Sequence, residues 1–212
     1  MGRPDRASNI IFDLDGTLAD SIPVLLELVN ELKIVDRPLT RDDYDRAKNL
    51  SIQAILKELG IPFWRAPGLL IKGRAALTQR INEVPFFAGM DKVVRQLSKD
   101  HQLFVMSSNS LANVEKFLEL HAMREPFKAV YGGVGIFGKA KVLRQIAKEH
   151  SLDKATTYYV GDEIRDVEAA KKAGLKSIAV TWGFNGDEIL KAHQPDYLVY
   201  SPAELQQIFR ED

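Results

Sequence analysis

The sequence predicts an α/β fold: a parallel sheet covered by helices on both faces, with a small helical unit inserted after its first strand. Short, continuously apolar runs alternate with amphipathic stretches, as expected of strands buried on both faces between crossover helices. One long region, from about Ala19 to Phe86, shows helical patterning and no convincing strand, and is too long for an ordinary connection between a strand and a helix. The chain has 212 residues, 45% of them apolar, enough for one core domain with a modest insertion.

The elements follow in order. Met1 to Ser8 is polar and reads as a flexible tail without the apolar stretch of a signal peptide. Ile10–Phe12 is the first strand, a buried apolar run that stops at Asp13. The inserted region holds helical segments at Val24–Leu32, Asp42–Lys48, Ile52–Leu59 and Leu69–Asn82. Thr40 and Ser51 suit N-caps, while Pro38, Pro62 and Pro67 break the segments. The expected division is a core of residues 9–18 and 87–212 and a helical domain of residues 19–86.

Beyond the insertion the alternation resumes. Strands are expected at Leu103–Met106, Ala129–Tyr131, Thr157–Val160, Ser177–Val180 and Tyr197–Val199. Amphipathic helices are expected at Asp91–Ser98, Val114–Leu120, Val142–Lys148 and Val167–Ala173. Gly60 and Gly174 stand where helices should stop.

Composition narrows the function. Lys+Arg and Asp+Glu both number 29, so nothing advertises a nucleic acid or an anionic membrane as partner. No apolar run approaches the roughly 18–20 residues of a membrane span. There is no cysteine, which excludes disulfides, thiolate metal sites and cysteine nucleophiles and fits a cytoplasmic protein. His101, His121, His150 and His193 are scattered without ligand spacing.

The chemistry gathers at strand ends. Asp13 and Asp15 follow the first strand and are followed by Gly16. In a regular strand they would share a face and repel, a cost that a hard divalent cation with oxygen ligands would remove. Ser107-Ser108-Asn109 follows the second strand, Gly138-Lys139 precedes a helix, and Asp162 and Asp166 follow the run Tyr158-Tyr159-Val160. In parallel α/β sheets ligands bind at the carboxyl ends of strands, so these groups should converge. The set suits phosphoryl transfer: Asp13 and Asp162 can hold Mg²⁺ with Asp166 in support, and Asp13 can attack phosphorus. Ser107, nearby backbone N–H groups and Lys139 can take the phosphate oxygens, and Asp15 can move the proton. Ser108 and Asn109 are further candidates for phosphate binding.

Asp13-Leu14-Asp15-Gly16-Thr17, Ser107, Lys139 and Gly161-Asp162-x-x-x-Asp166 together resemble, in order, the four motifs of the haloacid dehalogenase-like (HAD) hydrolase superfamily. The resemblance covers the chain after its tail. It implies a Rossmann-like core with a helical cap, a covalent aspartyl-phosphate on Asp13 and acid/base work by Asp15. It also implies Mg²⁺ held by the Asp13 side chain, the Asp15 backbone carbonyl and Asp162. Val180-Thr181-Trp182-Gly183-Phe184 and Pro195-Asp196-Tyr197 resemble the phosphoglycolate-phosphatase-like branch. In that branch the lysine motif often reads Lys-Pro, whereas here it reads Gly138-Lys139-Ala140-Lys141, with Lys141 as the alternative lysine. Cap glycines often seen there are replaced around Lys48-Asn49-Leu50-Ser51.

Asp15 points away from dehalogenation, because a halide leaves without a proton and an alcohol does not. Thr17 stands where related hexose phosphate mutases usually have Val, which favours hydrolysis over the alternative, a phosphomutase. Gly133-x-Gly135-x-x-Gly138 spells a dinucleotide fingerprint, the basis of a rival reading as a nicotinamide-binding oxidoreductase, but it leaves Asp13 and Asp15 without a task. A non-catalytic phosphate-binding protein is the third reading. The expected enzyme is a cytoplasmic, Mg²⁺-dependent phosphatase of a small phosphorylated metabolite, a monomer or homodimer. Arg46, Lys48 and Arg74 of the cap are candidates for substrate contact.

Overall fold

The computed structural model describes residues 7–50, 52–135 and 138–210. Its strands are β1 (Asn9–Phe12), β2 (Gln102–Met106), β3 (Phe127–Tyr131), β4 (Thr157–Gly161), β5 (Lys176–Val180) and β6 (Tyr197–Val199). They pair in parallel in the order β3-β2-β1-β4-β5-β6. The helices are α1 (Ile22–Glu31), α2 (Arg41–Ala47), α3 (Ile52–Glu58), α4 (Ala66–Gln79), α5 (Met90–Leu97), α6 (Leu111–Leu120), α7 (Lys139–Glu149), α8 (Ile164–Ala173), α9 (Asp187–Ala192) and α10 (Pro202–Ile208). Every expected strand is present within two residues of its predicted ends, and the α/β class holds.

Strand alternation divides the core into two layers. Ile10, Phe12, Leu103, Val105, Tyr158, Val160, Ile178 and Val180 point to one face. There they meet Val94 and Leu97 of α5, Phe117 and Leu118 of α6, and Leu205 of α10. Ile11, Phe104, Met106 and Tyr159 point to the other face, against Leu143 and Ile146 of α7 and Ala169, Ala170 and Ala173 of α8. Each fully buried large apolar side chain contributes about 1.5–3 kcal/mol relative to exposure, which fixes the register of every strand. The small alanines of α8 let that helix approach the sheet closely, which matters because its first turn carries Asp166.

The region between β1 and α5 is helical, with two 3-10 turns at Phe63–Arg65 and Ile81–Glu83. Its two crossing points are joined: Ala19 bridges both Asp15 and Phe86. Thr40 caps α2 in a capping box with Asp43, as its sequence position predicts. Asn30 closes the connection between α1 and α2 by bonding the backbone N–H and C=O of Leu39. Val24, Leu28, Leu77 and Ile81 bury into the first core layer, so these helices share apolar packing with the sheet side.

Some details differ from expectation. Ser8 is not free tail: it is buried, its N–H donates to His101 Nδ1 at 3.1 Å, and its carbonyl accepts from Gln102 N–H. Residues 1–6 and the proposed N-cap Ser51 lie outside the described residues. Helices α9 and α10 were not anticipated. They have six and seven residues and hold only two large apolar side chains each, Ile189 and Leu190 in α9 and Leu205 and Ile208 in α10. No helix among the described residues is long and apolar enough to cross a membrane.

Candidate active site

The strand order places β1 and β4 side by side at the centre, with connections diverging to either side. This is the topological switch point, where the loops at the carboxyl ends leave a crevice. Asp13 stands one residue beyond β1, and its N–H donates to Val160 O at 2.9 Å, continuing the ladder. Ser107 follows β2, Asp162 follows β4, Lys139 opens α7 and Asp166 sits in the first turn of α8. Asp13, Lys139, Asp162 and Asp166 thus meet although distant in sequence, because each ends a neighbouring strand or starts the helix after it.

Asp13, Asp162 and Asp166 are buried, and each offers a carboxylate oxygen within 4.8 Å of the others. Lys139, 3% exposed, lies among them. Its ammonium donates to Asp13 Oδ2 and to Asp166 Oδ1, both at 2.5 Å. The other oxygen of Asp13 accepts from Leu14 N–H at 2.9 Å. Asp166 Oδ1 also accepts from Tyr159 Oη at 3.1 Å, while its Oδ2 accepts from Glu163 N–H at 3.0 Å in a capping box. Asp162 is held by Thr17 Oγ1 at 2.9 Å and by Phe184 N–H at 2.7 Å.

The loop after β2 is ordered by its own polar side chains. Ser107 is fully buried, and its Oγ accepts from Asn109 N–H at 2.9 Å. Asn109 Oδ1 accepts from Ser110 N–H and Asn113 Nδ2, which fixes the start of α6. Ser108 and Asp15 are half-buried. Lys141 is exposed, so of the two candidate lysines only Lys139 reaches the carboxylates.

Two glycines make room for Asp162. A Cβ on Gly16 would lie 2.1 Å from Asp162 Oδ2, and one on Gly183 would lie 2.3 Å from the same atom. Gly16 also has φ +79°, a conformation that costs other residues about 1–2 kcal/mol. Gly16→Ala is therefore expected to lose more than about 1 kcal/mol of stability, since strain and collision add. Thermal unfolding of the variant beside the parent checks this; equal melting temperatures would contradict it.

The electrostatics call for more positive charge than Lys139 supplies. Burial and the neighbouring Asp166 push Asp13 up to about 7, with Lys139 opposing. Burial together with Glu163, Asp166 and Asp13 raises Asp162 well above the usual carboxylate range. Burial works against the Lys139 charge, but Asp13 and Asp166 outweigh it and raise its pKa well above the usual lysine value. Burial and the same two carboxylates keep the Tyr159 hydroxyl protonated. Three buried carboxylates share one ammonium, so without a further cation the raised Asp13 and Asp162 hold protons, and all their donors are hard oxygens. That donor set fits Mg²⁺.

The fit has a consequence for stability. A carboxylate raised from 3.8 to about 7 contributes stability below about pH 4 that is lost as pH rises through 7. Mg²⁺ held by these carboxylates would favour their ionised form, so its stabilising effect would grow across that window. Thermal unfolding with Mg²⁺ and with EDTA, at about pH 5 and about pH 8, should show the larger Mg²⁺ gain at the higher pH, on the order of 2–4 kcal/mol near saturation. A gain independent of pH would contradict the coupling.

The inserted helices reach this crevice through α2. Tyr44 Oη donates to the carbonyl of Gly183, the glycine packed on Asp162, and Gly186 N–H donates to Lys48 O at 2.9 Å. Lys48 is half-buried and lies 5.3 Å from the Tyr44 ring centroid, and burial lowers its pKa. Lys48 also lines a cleft of about 320 Å³ with Asn49, Thr181 and Tyr200. Arg46 is instead exposed and paired with Asp43. The side chain of Arg74 lies outside the described residues, as do Ile136 and Phe137 of the Gly133–Gly138 run.

Sequence reasoning passed over Tyr44, Tyr159 and the Phe184 N–H. The two tyrosines carry no spacing signal, and the backbone donor has none to carry. The Glu163–Asp166 capping box did have one, its three-residue spacing at a helix start.

The chain is similar to known proteins over most of its length. The family model for haloacid dehalogenase-like hydrolases matches residues 10–180. The phosphoglycolate phosphatase of Synechococcus elongatus is 36% identical over 201 residues, covering 93% of this chain and 95% of that one. A 5'-nucleotidase of Pseudomonas aeruginosa is 27% identical and covers 96% of each chain. Among solved structures, a haloacid dehalogenase-like family hydrolase from Streptococcus pneumoniae superposes with a TM-score of 0.76 at 22% identity, over 96% of this chain and 98% of that one. With the site at the switch point and the family model spanning β1 to β5, the chain belongs to the haloacid dehalogenase-like hydrolases.

Proposed function

We propose that this hydrolase is a Mg²⁺-dependent phosphatase that cleaves a small phosphorylated metabolite through an aspartyl-phosphate on Asp13. The observation that carries the reading is the buried Asp13 carboxylate, fixed by Lys139 and by Leu14 N–H at the switch point, with Asp162 and Asp166 beside it. The curated relatives compared above are named for small phosphate esters, and the phosphoglycolate-like branch supports the same class of substrate.

In the first step an Asp13 oxygen attacks phosphorus, an Asp13–phosphate bond forms and the bond from phosphorus to the ester oxygen breaks. Asp15 gives its proton to the departing alkoxide, so the alcohol leaves neutral. In the second step Asp15 takes a proton from water, whose oxygen attacks the same phosphorus and returns Asp13 as a carboxylate. Ser107, Lys139 and the N–H groups of the loop containing Ser108 and Asn109 bind the phosphate oxygens as charge builds on them. The side chains of Asp13 and Asp162 and the backbone carbonyl of Asp15 would hold Mg²⁺, with Asp166 behind them, and the ion when bound supplies charge neutralisation at the phosphate. Residues 9–18 and 87–212 act as the core and residues 19–86 as a cap that excludes water. A cytoplasmic setting belongs to the same proposal and rests on the absence of cysteine.

Hydrolysis of p-nitrophenyl phosphate with Mg²⁺, and its loss in EDTA, tests the activity. Release that persists undiminished in EDTA would overturn the metal requirement. Asp162→Asn keeps the shape but removes a charge, so it should raise the Mg²⁺ concentration for half-maximal rate by about tenfold or more. An unchanged Mg²⁺ dependence would remove Asp162 from the metal shell.

A further inference from the structure

We infer that Tyr159 is a positioning residue for the phosphatase chemistry, holding Asp166 so that Lys139 stays on Asp13. The inference rests on the proposed phosphatase reading, and on contacts that no sequence motif marks. Tyr159 is 1% exposed and points into the core layer beneath α7 and α8. It touches both members of the Lys139–Asp166 pair. Its hydroxyl donates to Asp166 Oδ1 at 3.1 Å, and its ring centroid lies 5.8 Å from Lys139 Nζ. Asp166 Oδ1 thus takes two donors, and Oδ2 takes Glu163 N–H.

That arrangement gives each contact a separate task. The bond from Glu163 N–H ties Asp166 to the start of α8. The hydroxyl of Tyr159 sets the direction of Oδ1, and Oδ1 in turn sets where the ammonium sits relative to Asp13. Lys139 has a flexible four-carbon stem, so its ammonium is placed by its partners more than by its backbone. A charged donor misplaced by a fraction of an ångström loses much of its value to a developing transition state.

The neighbouring Tyr158 provides the control. It lies on the same strand and is also buried, but it faces the opposite core layer, where its hydroxyl accepts from Lys176 at 3.3 Å. Tyr159→Phe and Tyr158→Phe therefore each delete one hydroxyl and keep the ring. Tyr159→Phe is expected to lose more thermal stability than Tyr158→Phe, because its hydroxyl bonds a buried carboxylate, so rates are compared on folded protein at a temperature well below both transitions.

With p-nitrophenyl phosphate and saturating Mg²⁺, Tyr159→Phe should lower kcat by about tenfold with little change in KM, because the deleted contact serves the transition state more than the bound ester. Tyr158→Phe should keep the parent kcat. A Tyr159→Phe enzyme with the parent kcat, or one that loses no more than Tyr158→Phe, would overturn the inference. Crystal structures of the parent and Tyr159→Phe give a readout that needs no turnover. The Lys139 ammonium is expected to shift relative to Asp13 in the variant, and an ammonium in the parent position overturns the inference. If the parent hydrolyses no phosphate ester, the phosphatase reading fails, and these structures alone decide the positioning claim.

Discussion

Asp13→Asn is expected to lower phosphate ester turnover by at least about 10³-fold, or about 4 kcal/mol of barrier. An amide nitrogen or oxygen is a poor nucleophile toward phosphorus, and the substitution is nearly isosteric. The loss should therefore come without unfolding. Asn also removes one of three buried negative charges, so the variant is expected to be at least as stable as the parent without metal. Steady-state kinetics and thermal unfolding on the same preparation separate the two effects. A variant that is stable and retains a tenth or more of the parent rate would show that Asp13 is not the attacking group.

Lys139→Ala should lose both stability and activity. Lys139 is 3% exposed and bonds two buried carboxylates, so its removal leaves Asp13 and Asp166 without their shared counter-charge. Breaking one side of a buried ion pair costs about 3–5 kcal/mol. Burial already pushes Asp13 up to about 7, and Lys139 is the largest influence opposing it. Without the ammonium and without metal, Asp13 should protonate at still higher pH, which a titration of the metal-free variant followed by its thermal unfolding reads. The rate should fall by about 10²–10³-fold, as when a preorganised donor to a transition-state oxygen is removed. Denaturant unfolding and steady-state kinetics check these results. A variant with parent stability and the parent rate would contradict the assigned role.

The two variants divide the site into its parts. Asp13→Asn separates chemistry from folding, because charge leaves a crowded site. Lys139→Ala couples them, because charge balance and transition-state binding rest on one ammonium.

The sheet was legible because its strands are buried on both faces and read as uninterrupted apolar runs, such as Leu103–Met106 and Ser177–Val180. The carboxylates were legible because aspartates that end such runs have no packing reason to be there. Asp13 and Asp162 stood out on that ground, and Lys139 by its place before a helix. Tyr159 was not legible. In Tyr158-Tyr159-Val160 the two tyrosines look alike, and only the sheet decides which faces Asp166 and which faces Lys176. The contact of Tyr44 with Gly183 was hidden for a different reason: it joins the inserted helices to a loop far along the chain, and nothing local encodes it. Helix α10 was readable in principle, since Ser201-Pro202-x-Glu204 is an N-terminal signature and Ser201 accepts from Glu204 N–H.

The covalent step is open to direct observation. In Asp15→Asn the group that activates water is gone, while p-nitrophenolate is a stable enough anion to leave without a proton from Asp15, so a phosphorylated enzyme should form slowly and then accumulate. The variant would be mixed with p-nitrophenyl phosphate and Mg²⁺, quenched in acid and digested, and the peptide containing Asp13 examined by mass spectrometry. A phosphoryl group on Asp13, absent from the same peptide in EDTA, is the predicted result. Release of p-nitrophenol by the parent with no phosphoryl group on Asp13 at any quench time, or with the group on another residue, would contradict attack by Asp13.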